Sequence, residues 1–335
     1  MDSREQFIEA MDPDRTDRGL ADATERAAGV VHNPVDDGLV DLVNDYSLSQ
    51  SAGTRTVSLV SMTNLSSETW LLTGANGKIG RQLRHHLRKR LARLVVADRL
   101  APPDSASNEV AVSFDLNDFQ TVASLMPGCD GVIHLAGIAD EAPYADLLRV
   151  NALGTYHVLE SMRLAGVPRL VYASSNRITG FHSTNELLDD RSTVRPDGLY
   201  GASKAAAEAL TRMYADKFGI RVCNVRIGSL EETPTSQREA ATWLSPSDAN
   251  LAFESAMTTS LPFSVFYAVS ANRYRFWSLE PGRAIGYVPN DDASTILGDN
   301  VYPPDNSAQA GDFANAEYTL PFLSSSRTGT GIRVD

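Results

Sequence analysis

A tyrosine and a lysine four residues apart are the first feature of the chain with the chemistry of a catalyst. Tyr200 and Lys204 lie at the start of a predicted helix, where residues at i and i+4 share one face. A phenol ordinarily titrates near about pH 10, but a neighbouring ammonium favours the phenolate. Ser175 lies at the predicted end of a strand 25 residues earlier, where its hydroxyl could bind the same substrate oxygen. The three side chains predict a proton-transfer site.

A glycine-rich loop upstream has the spacing of a phosphate-binding loop. Gly74, Gly77 and Gly80 follow a predicted strand and open a predicted helix, which is the context that distinguishes such a loop from a chance pattern. The first glycine allows a tight turn, the second lets the backbone approach a pyrophosphate, and the third lets the helix close on the strand. The predicted loop contacts are Gly74, Asn76, Gly77, Lys78, Ile79 and Gly80.

An acidic residue after the second predicted strand indicates which dinucleotide is bound. Asp98 lies 18 residues after Gly80, close to the offset of about 20 at which a carboxylate binds the adenosine ribose. A carboxylate there repels a 2′-phosphate and favours NAD over NADP, although the adjacent Arg99 could accommodate that phosphate. Asp115 could also be an ordinary turn residue. The further cofactor contacts predicted at strand ends are Asp115, Leu116, Leu135, Ala136 and Gly137.

Apolar runs of strand length alternate with longer amphipathic stretches from residue 70 onward. This alternation predicts an α/β protein with a Rossmann-like, doubly wound parallel sheet, completed by a small C-terminal substrate-binding cap. Ligands of such sheets bind at the carboxyl ends of the strands. The predicted strands are residues 70–73, 94–97, 110–114, 131–135, 169–174 and 222–227, and the predicted helices are residues 78–90, 117–126, 144–165 and 200–218.

The charge balance divides the chain and excludes some partners. The net charge is −12, which argues against binding to nucleic acid or to an anionic membrane. The first 69 residues alone carry −8, and they alternate polar stretches with only brief apolar ones. We therefore expect a disordered acidic extension over residues 1–66, an NAD-binding core over 67–228, and a cap with the C-terminal tail over 229–335, interleaved with the core.

The rest of the composition favours a cytoplasmic protein without a metal. No apolar stretch reaches the roughly 18–20 residues of a membrane-spanning helix, and no basic-then-apolar leader begins the chain. Cys129 and Cys223 are the two cysteines, and neither lies in a metal-ligand spacing, so we expect buried free thiols.

Four stretches of the sequence carry a resemblance to a known family, namely residues 171–176, 195–204, 213–219 and 225–229. They resemble the extended short-chain dehydrogenases/reductases, and among these the uronate dehydrogenases. The resemblance implies NAD-dependent oxidation of the anomeric hydroxyl of galacturonate or glucuronate to the aldarolactone. It also implies that Tyr200 is the general base, that Lys204 is its electrostatic partner, and that Ser175 orients the reacting oxygen.

The same resemblance implies contacts to the sugar acid. Asn176 and Ser229 match residues that bind the sugar, and Arg238 matches the arginine that binds the carboxylate, for which a planar guanidinium is well suited. Two positions depart from the family: Arg177 stands where a histidine contacts the substrate, and Ala139 where a serine is common. Arg177 could bind a second carboxylate or a phosphate, or it could point to solvent.

Three other functions remain open on the sequence alone. A nucleotide-sugar epimerase or dehydratase shares the glycine loop and the Tyr/Lys pair but returns the hydride to the sugar. A dehydrogenase of a neutral or phosphorylated aldose differs only in the pocket. A non-catalytic dinucleotide sensor needs the loop but not the pair. By analogy with the superfamily we also expect a homo-oligomer assembled through the helices over residues 144–165 and 200–218.

Overall fold

A seven-stranded parallel sheet forms the centre of the part of the chain that the structure describes. The structure, a computed structural model, describes residues 65–298, 301 and 305–324. The strands are β1 (Thr69–Thr73), β2 (Arg93–Asp98), β3 (Glu109–Ser113), β4 (Gly131–His134), β5 (Arg169–Ser175), β6 (Arg221–Ile227), β7 (Ser229–Leu230), β8 (Trp243–Leu244) and β9 (Phe263–Ala268). Their order in the sheet is β3-β2-β1-β4-β5-β6-β9. The chain leaves the sheet centre in one direction after β1 and in the other after β4, so a crevice forms at their carboxyl ends.

Helices cover both faces of the sheet. Trp70 and Leu72 of β1 point into a buried cluster on one face, while Leu71 between them points into the cluster on the opposite face. Covering on both faces explains the nearly continuous apolar runs of the central strands. The helices are α1 (Lys78–Leu87), α2 (Phe119–Ser124), α3 (Tyr144–Leu147), α4 (Gly154–Ala165), α5 (Leu199–Phe218), α6 (Glu239–Thr242), α7 (Pro246–Thr258), α8 (Glu280–Ala284), α9 (Ser294–Leu297) and α10 (Ala316–Ser324).

The structure confirms the predicted parallel sheet and modifies it in two places. All six predicted strands are present, and β9 adds a seventh beside β6 that the sequence did not predict. The helix predicted over residues 144–165 is interrupted, because a π-helical segment, Leu148–Leu153, separates α3 from α4. The predicted disordered extension lies outside the described residues, apart from its last two.

The C-terminal segment, residues 305–324, lies against the loop that follows β5. Ser183 and Ala308 form an antiparallel bridge, and the segment continues through a 3-10 turn, Gly311–Ala314, into α10. Residues 310–313 and Tyr318 of this segment line the cavity at the carboxyl ends of the strands. None of the described helices has the length and apolar character needed to cross a membrane.

Candidate active site

A cavity of about 1630 Å³ opens at the carboxyl edge of the sheet. One end is formed by the glycine loop between β1 and α1 and by the ends of β2 and β3. The other end is formed by the end of β5, the start of α5, residues 227–231 and 236–239, and the C-terminal segment. The cavity therefore joins the predicted cofactor contacts to the predicted catalytic and substrate contacts.

The glycine loop needs its glycines for close packing. Gly74 has a positive φ of 74°, and a Cβ there would lie 2.7 Å from the backbone nitrogen of Ala136. A Cβ on Gly80 would lie 2.2 Å from the carbonyl oxygen of Gly74. Asp98 stabilises the same loop, since its carboxylate accepts hydrogen bonds from the backbone nitrogens of Asn76 at 2.8 Å and Arg99 at 2.7 Å. This glycine cradle, with a carboxylate beside it, fits a dinucleotide pyrophosphate and ribose.

The remaining predicted cofactor contacts also line the cavity, although two of them have protein partners. The Lys78 ammonium lies in an ion pair with Glu231, and the Asp115 carboxylate accepts hydrogen bonds from the backbone and side chain of Asn117. These hydrogen bonds lower the pKa of Asp115. Leu116, Leu135, Ala136 and Gly137 also line the cavity.

The predicted catalytic residues Ser175, Tyr200 and Lys204 all line this cavity. Tyr200 and Lys204 share one face of α5. Burial is the largest influence on the pKa of Tyr200 and raises it to about 12, although a hydrogen bond to Ser175 acts in the opposite direction. Lys204 donates to the carbonyl of Ala173 at 3.0 Å, and burial lowers its pKa to about 8. A Cβ on Gly137 would lie 2.8 Å from the side-chain oxygen of Asn151, so this glycine leaves room for the Asn151 amide beside the catalytic helix.

Two buried side chains tie the catalytic helix to the π-helical segment and to the sheet. Asn151 accepts from the backbone nitrogen of Ile138 at 2.8 Å and donates to the Ser203 hydroxyl at 2.9 Å, which ties the π-helical segment to the residue before Lys204. Such segments are frequent at functional sites. Glu208, one turn after Lys204, accepts from Ser174 at 2.6 Å and forms a buried ion pair with Arg226 at 2.9 Å.

Arg238 also lines the cavity, and its hydrogen-bond partners are all neutral. Its guanidinium donates to the Gln309 carbonyl at 3.1 Å, the Ser229 hydroxyl at 3.1 Å and the Asn176 side-chain oxygen at 3.2 Å. Desolvation lowers the pKa of Arg238 to about 10, which leaves it charged at neutral pH. Asn176 is itself held by a hydrogen bond from its amide to the Ile227 carbonyl. Three of the predicted substrate contacts are therefore one hydrogen-bonded group.

Arg177 differs from Arg238 because carboxylates surround it. Its guanidinium forms ion pairs with Asp197 at 2.6 Å, Glu141 at 3.1 Å and Asp140 at 3.2 Å. Its side chain is only 7% exposed, so the alternative that Arg177 points to solvent is wrong. The acids also offset the positive charge that a second carboxylate or a phosphate of the substrate would need.

The sequence analysis missed several residues at the site. Glu141 binds Arg177 and the first turn of α5, and Gln309 supplies a carbonyl to Arg238. The Phe313 ring centroid lies 4.3 Å from the guanidinium carbon of Arg177. These residues carry no motif, and two of them belong to the C-terminal segment, whose position depends on tertiary packing. No sequence signal other than the aromatic side chain of Phe313 could have indicated them.

The glycine loop, the parallel sheet and the Ser–Tyr–Lys group define a dinucleotide-binding oxidoreductase of the short-chain type. The chain belongs to the NAD dependent epimerase/dehydratase family, whose sequence pattern matches residues 70–239.

Comparison with similar proteins indicates which members of this class the chain resembles. The chain is 37% identical to a uronate dehydrogenase of Pseudomonas syringae over 229 residues, covering 68% of this chain and 83% of the relative. It also resembles the crystal structure of a uronate dehydrogenase variant from Agrobacterium tumefaciens complexed with NAD, with a TM-score of 0.71, 34% identity and coverage of 76% of this chain and 100% of that one. An NAD-dependent glucose-6-phosphate dehydrogenase of Haloferax volcanii is 35% identical over 67% of this chain and 94% of its own length. The resemblance to uronate dehydrogenases predicted from the motifs is confirmed.

Proposed function

We propose that the protein oxidises the anomeric hydroxyl of a hexuronic acid, galacturonate or glucuronate, to the aldarolactone with NAD. The observation that carries the proposal is the set of neutral partners around Arg238. A guanidinium held by a carbonyl, a hydroxyl and an amide oxygen keeps a full positive charge for a ligand. Its planar donors match the two oxygens of a carboxylate.

Comparison with the other arginines supports this assignment. Arg84, Arg169, Arg177 and Arg226 are largely buried, and each forms an ion pair with a carboxylate. Among the residues that the structure describes, Arg238 has no carboxylate within ion-pair distance. A cation that is partly desolvated without a counterion lowers stability. A carboxylate on the substrate would supply that counterion.

The catalytic residues then act on the anomeric hydroxyl. Tyr200 accepts its proton on the phenolate oxygen, Ser175 donates a hydrogen bond to the same substrate oxygen, and the Lys204 ammonium stabilises the phenolate. NAD, when bound, supplies the acceptor for the hydride that leaves the anomeric carbon. Because burial alone disfavours the phenolate, the proton transfer depends on the donors and charges that surround Tyr200.

The cofactor end of the cavity fits NAD better than NADP. The residues proposed to bind it are those of the glycine loop, the strand-end residues and the catalytic pair. Asp98 occupies the ribose position with a carboxylate that already accepts two backbone hydrogen bonds. A 2′-phosphate would place a second negative charge beside this carboxylate.

The experiment that tests the proposal is steady-state formation of NADH with galacturonate, glucuronate, glucose and glucose 6-phosphate, each with NAD and with NADP. We expect kcat/KM for the uronates with NAD to exceed that for glucose by about 10²-fold or more, because glucose leaves the Arg238 charge without a partner. Turnover confined to glucose or glucose 6-phosphate would contradict the carboxylate assignment. Absence of stoichiometric NADH with every sugar would favour an epimerase or dehydratase.

The assembly, location and domain division are further parts of the proposal. Leu153, Tyr156, Leu164 and Phe218 are exposed on or beside α4 and α5, and such apolar side chains support a homo-oligomer formed through these helices. We propose a cytoplasmic location and a division into an NAD-binding core over residues 67–228 and a substrate-binding cap over residues 229–335. The β9 strand within the latter range belongs to the core sheet, which agrees with an interleaved arrangement.

A further inference from the structure

Arg177 is fixed by its surroundings on every side of the guanidinium. The Nε, Nη1 and Nη2 atoms each donate to a different carboxylate, those of Asp197, Asp140 and Glu141 respectively. The Phe313 ring lies against the guanidinium plane, with its centroid 4.3 Å from the central carbon. Planar donors that are each paired in this way hold one orientation. Arg177 is therefore a fixed charge in the cavity wall.

One of these carboxylates connects Arg177 to the catalytic helix. Oε1 of Glu141 accepts from Arg177 and also from the backbone nitrogen of Tyr200 at 3.0 Å, while Oε2 accepts from the backbone nitrogen of Leu199 at 3.2 Å. The residue before α5 is Gly198, which has no side chain to cap the helix. Glu141 thus supplies the cap from a distant loop, and Arg177 fixes the position of that cap.

The guanidinium also lies beside the phenol of Tyr200. Its central carbon is 5.5 Å from the centroid of the Tyr200 ring and 5.4 Å from that of Tyr318. Tyr318 in turn donates to the Asp140 carboxylate at 2.7 Å. A cation within about 4–6 Å of an acidic group favours its ionised form.

We propose that Arg177 is a positioning residue for the proton transfer, which fixes Tyr200 through Glu141 and keeps a permanent positive charge beside its phenol. This inference rests on the proposed function insofar as Tyr200 is the base. It assigns to Arg177 a role other than the substrate contact expected from the family resemblance, and it gives Asp140 the opposite electrostatic effect on the same phenol.

The charges that face Tyr200 come from several elements and act in both directions. Burial is the largest influence and raises the pKa of Tyr200, the hydrogen bond to Ser175 and the charge of Arg177 lower it, and the charges of Asp140 and Asp197 raise it. The titratable or charged groups nearest to it are Lys204 on the same helix, Tyr172 on β5, Arg177 after β5, Asp140 and Glu141 after β4, Asp197 before α5, and Tyr318 on α10. Removal of Arg177 and removal of Asp140 must therefore shift the titration of Tyr200 in opposite directions.

The test is the pH dependence of kcat for Arg177→Met and Asp140→Asn. The base works as phenolate, so kcat falls on the acid side of the apparent pKa of Tyr200. Arg177→Met should move this acid limb to higher pH by about one unit, which is about a tenfold loss of kcat well below the limb. Asp140→Asn should move it to lower pH. The pKa of Asp197 is raised to about 6 by burial and is lowered by Arg177. Because Arg177→Met removes that lowering influence, the limb of every variant is measured well above pH 6.

Two variants serve as controls. Asp146 also lines the cavity, and its side chain is 47% exposed against 60% for Asp140, but it is not among the charges that shift Tyr200. Asp146→Asn should leave the limb unchanged. Arg177→Lys retains the charge without the planar donors. The acid limb of its kcat profile should therefore lie close to that of the unmodified protein, while kcat on the high-pH plateau stays reduced.

An activity-independent measurement separates this inference from the proposed function. Tetranitromethane nitrates the phenolate form, so at a fixed pH below the pKa the nitration rate of Tyr200, read by mass spectrometry of its peptide, follows the phenolate fraction. Nitration should be slower in Arg177→Met and faster in Asp140→Asn, even if no uronate is oxidised. Asp140 is exposed, so its variant tests the inference even if Arg177→Met fails to fold. If the acid limb of kcat and the nitration rate of Tyr200 were unchanged in both variants, and KM were raised in Arg177→Met, the inference would be overturned and Arg177 would be a substrate contact.

Discussion

Replacement of Tyr200 by phenylalanine is expected to lower kcat for galacturonate by about 10³-fold, with the affinity for NAD retained. The substitution removes the phenol oxygen that is proposed to accept the proton and leaves the ring in place beside Arg177. At neutral pH neither Ser175 nor Lys204 replaces it as the base, because Ser175 lacks an accessible anionic form and Lys204, whose pKa burial lowers to about 8, is still mostly protonated. Steady-state NADH formation measures the loss, and isothermal titration with NAD measures the retained binding.

A second tyrosine of α5 provides the control for this prediction. Tyr214 is buried on the same helix, and its hydroxyl donates to Glu160 away from the cavity. Tyr214→Phe removes the same atom from the same helix and should keep kcat within about twofold. Activity of Tyr200→Phe within tenfold of the unmodified protein would contradict the assignment of Tyr200 as the base.

Replacement of Arg238 by methionine is expected to lower kcat/KM for galacturonate by about 10²–10³-fold, mostly through KM. The carboxylate does not change during the reaction, so its contact stabilises the bound substrate and the transition state about equally. Galactose lacks the carboxylate, and its kcat/KM should change little. The ratio of kcat/KM for galacturonate to that for galactose should therefore approach one.

Two arginine variants check this prediction. Arg238→Lys keeps a point charge but loses the planar donors, and we expect an intermediate KM. Arg195 is exposed and does not line the cavity, so Arg195→Met should leave both sugars unaffected. If Arg238→Met lowered activity on galactose as strongly as on galacturonate, the arginine would support the fold of the site and would not bind the carboxylate.

The motifs that the sequence analysis predicted from spacing are local in the chain. Tyr200 and Lys204 are brought together by helical spacing alone, and the glycine loop needs only the strand and helix that flank it. The central strands were predictable because helices on both faces make them nearly continuous in apolar residues. Strand β9 lies at the sheet edge, and its first three residues are only partly buried, so its apolar pattern is weaker and it was missed.

The residues that surround the catalytic residues could not be predicted from local sequence patterns. Arg177 stands three residues after the end of a predicted strand, but the acids that pair with it lie at 140, 141 and 197, and no local periodicity relates these positions. The interruption of the helix over residues 144–165 also has no local signal, because the π-helical segment contains no proline. The role of Phe313 depends on the docking of the C-terminal segment, which distant contacts determine.

The most direct test of the account is to follow the anomeric hydrogen of galacturonate labelled with deuterium at that position. The account predicts that the deuterium is transferred to the cofactor, that one equivalent of deuterated NADH is released for each sugar consumed, and that NMR identifies the sugar product as the aldarolactone. Recovery of the deuterium in a sugar product, without net reduction of NAD, would contradict the account and would assign the protein to the epimerases and dehydratases.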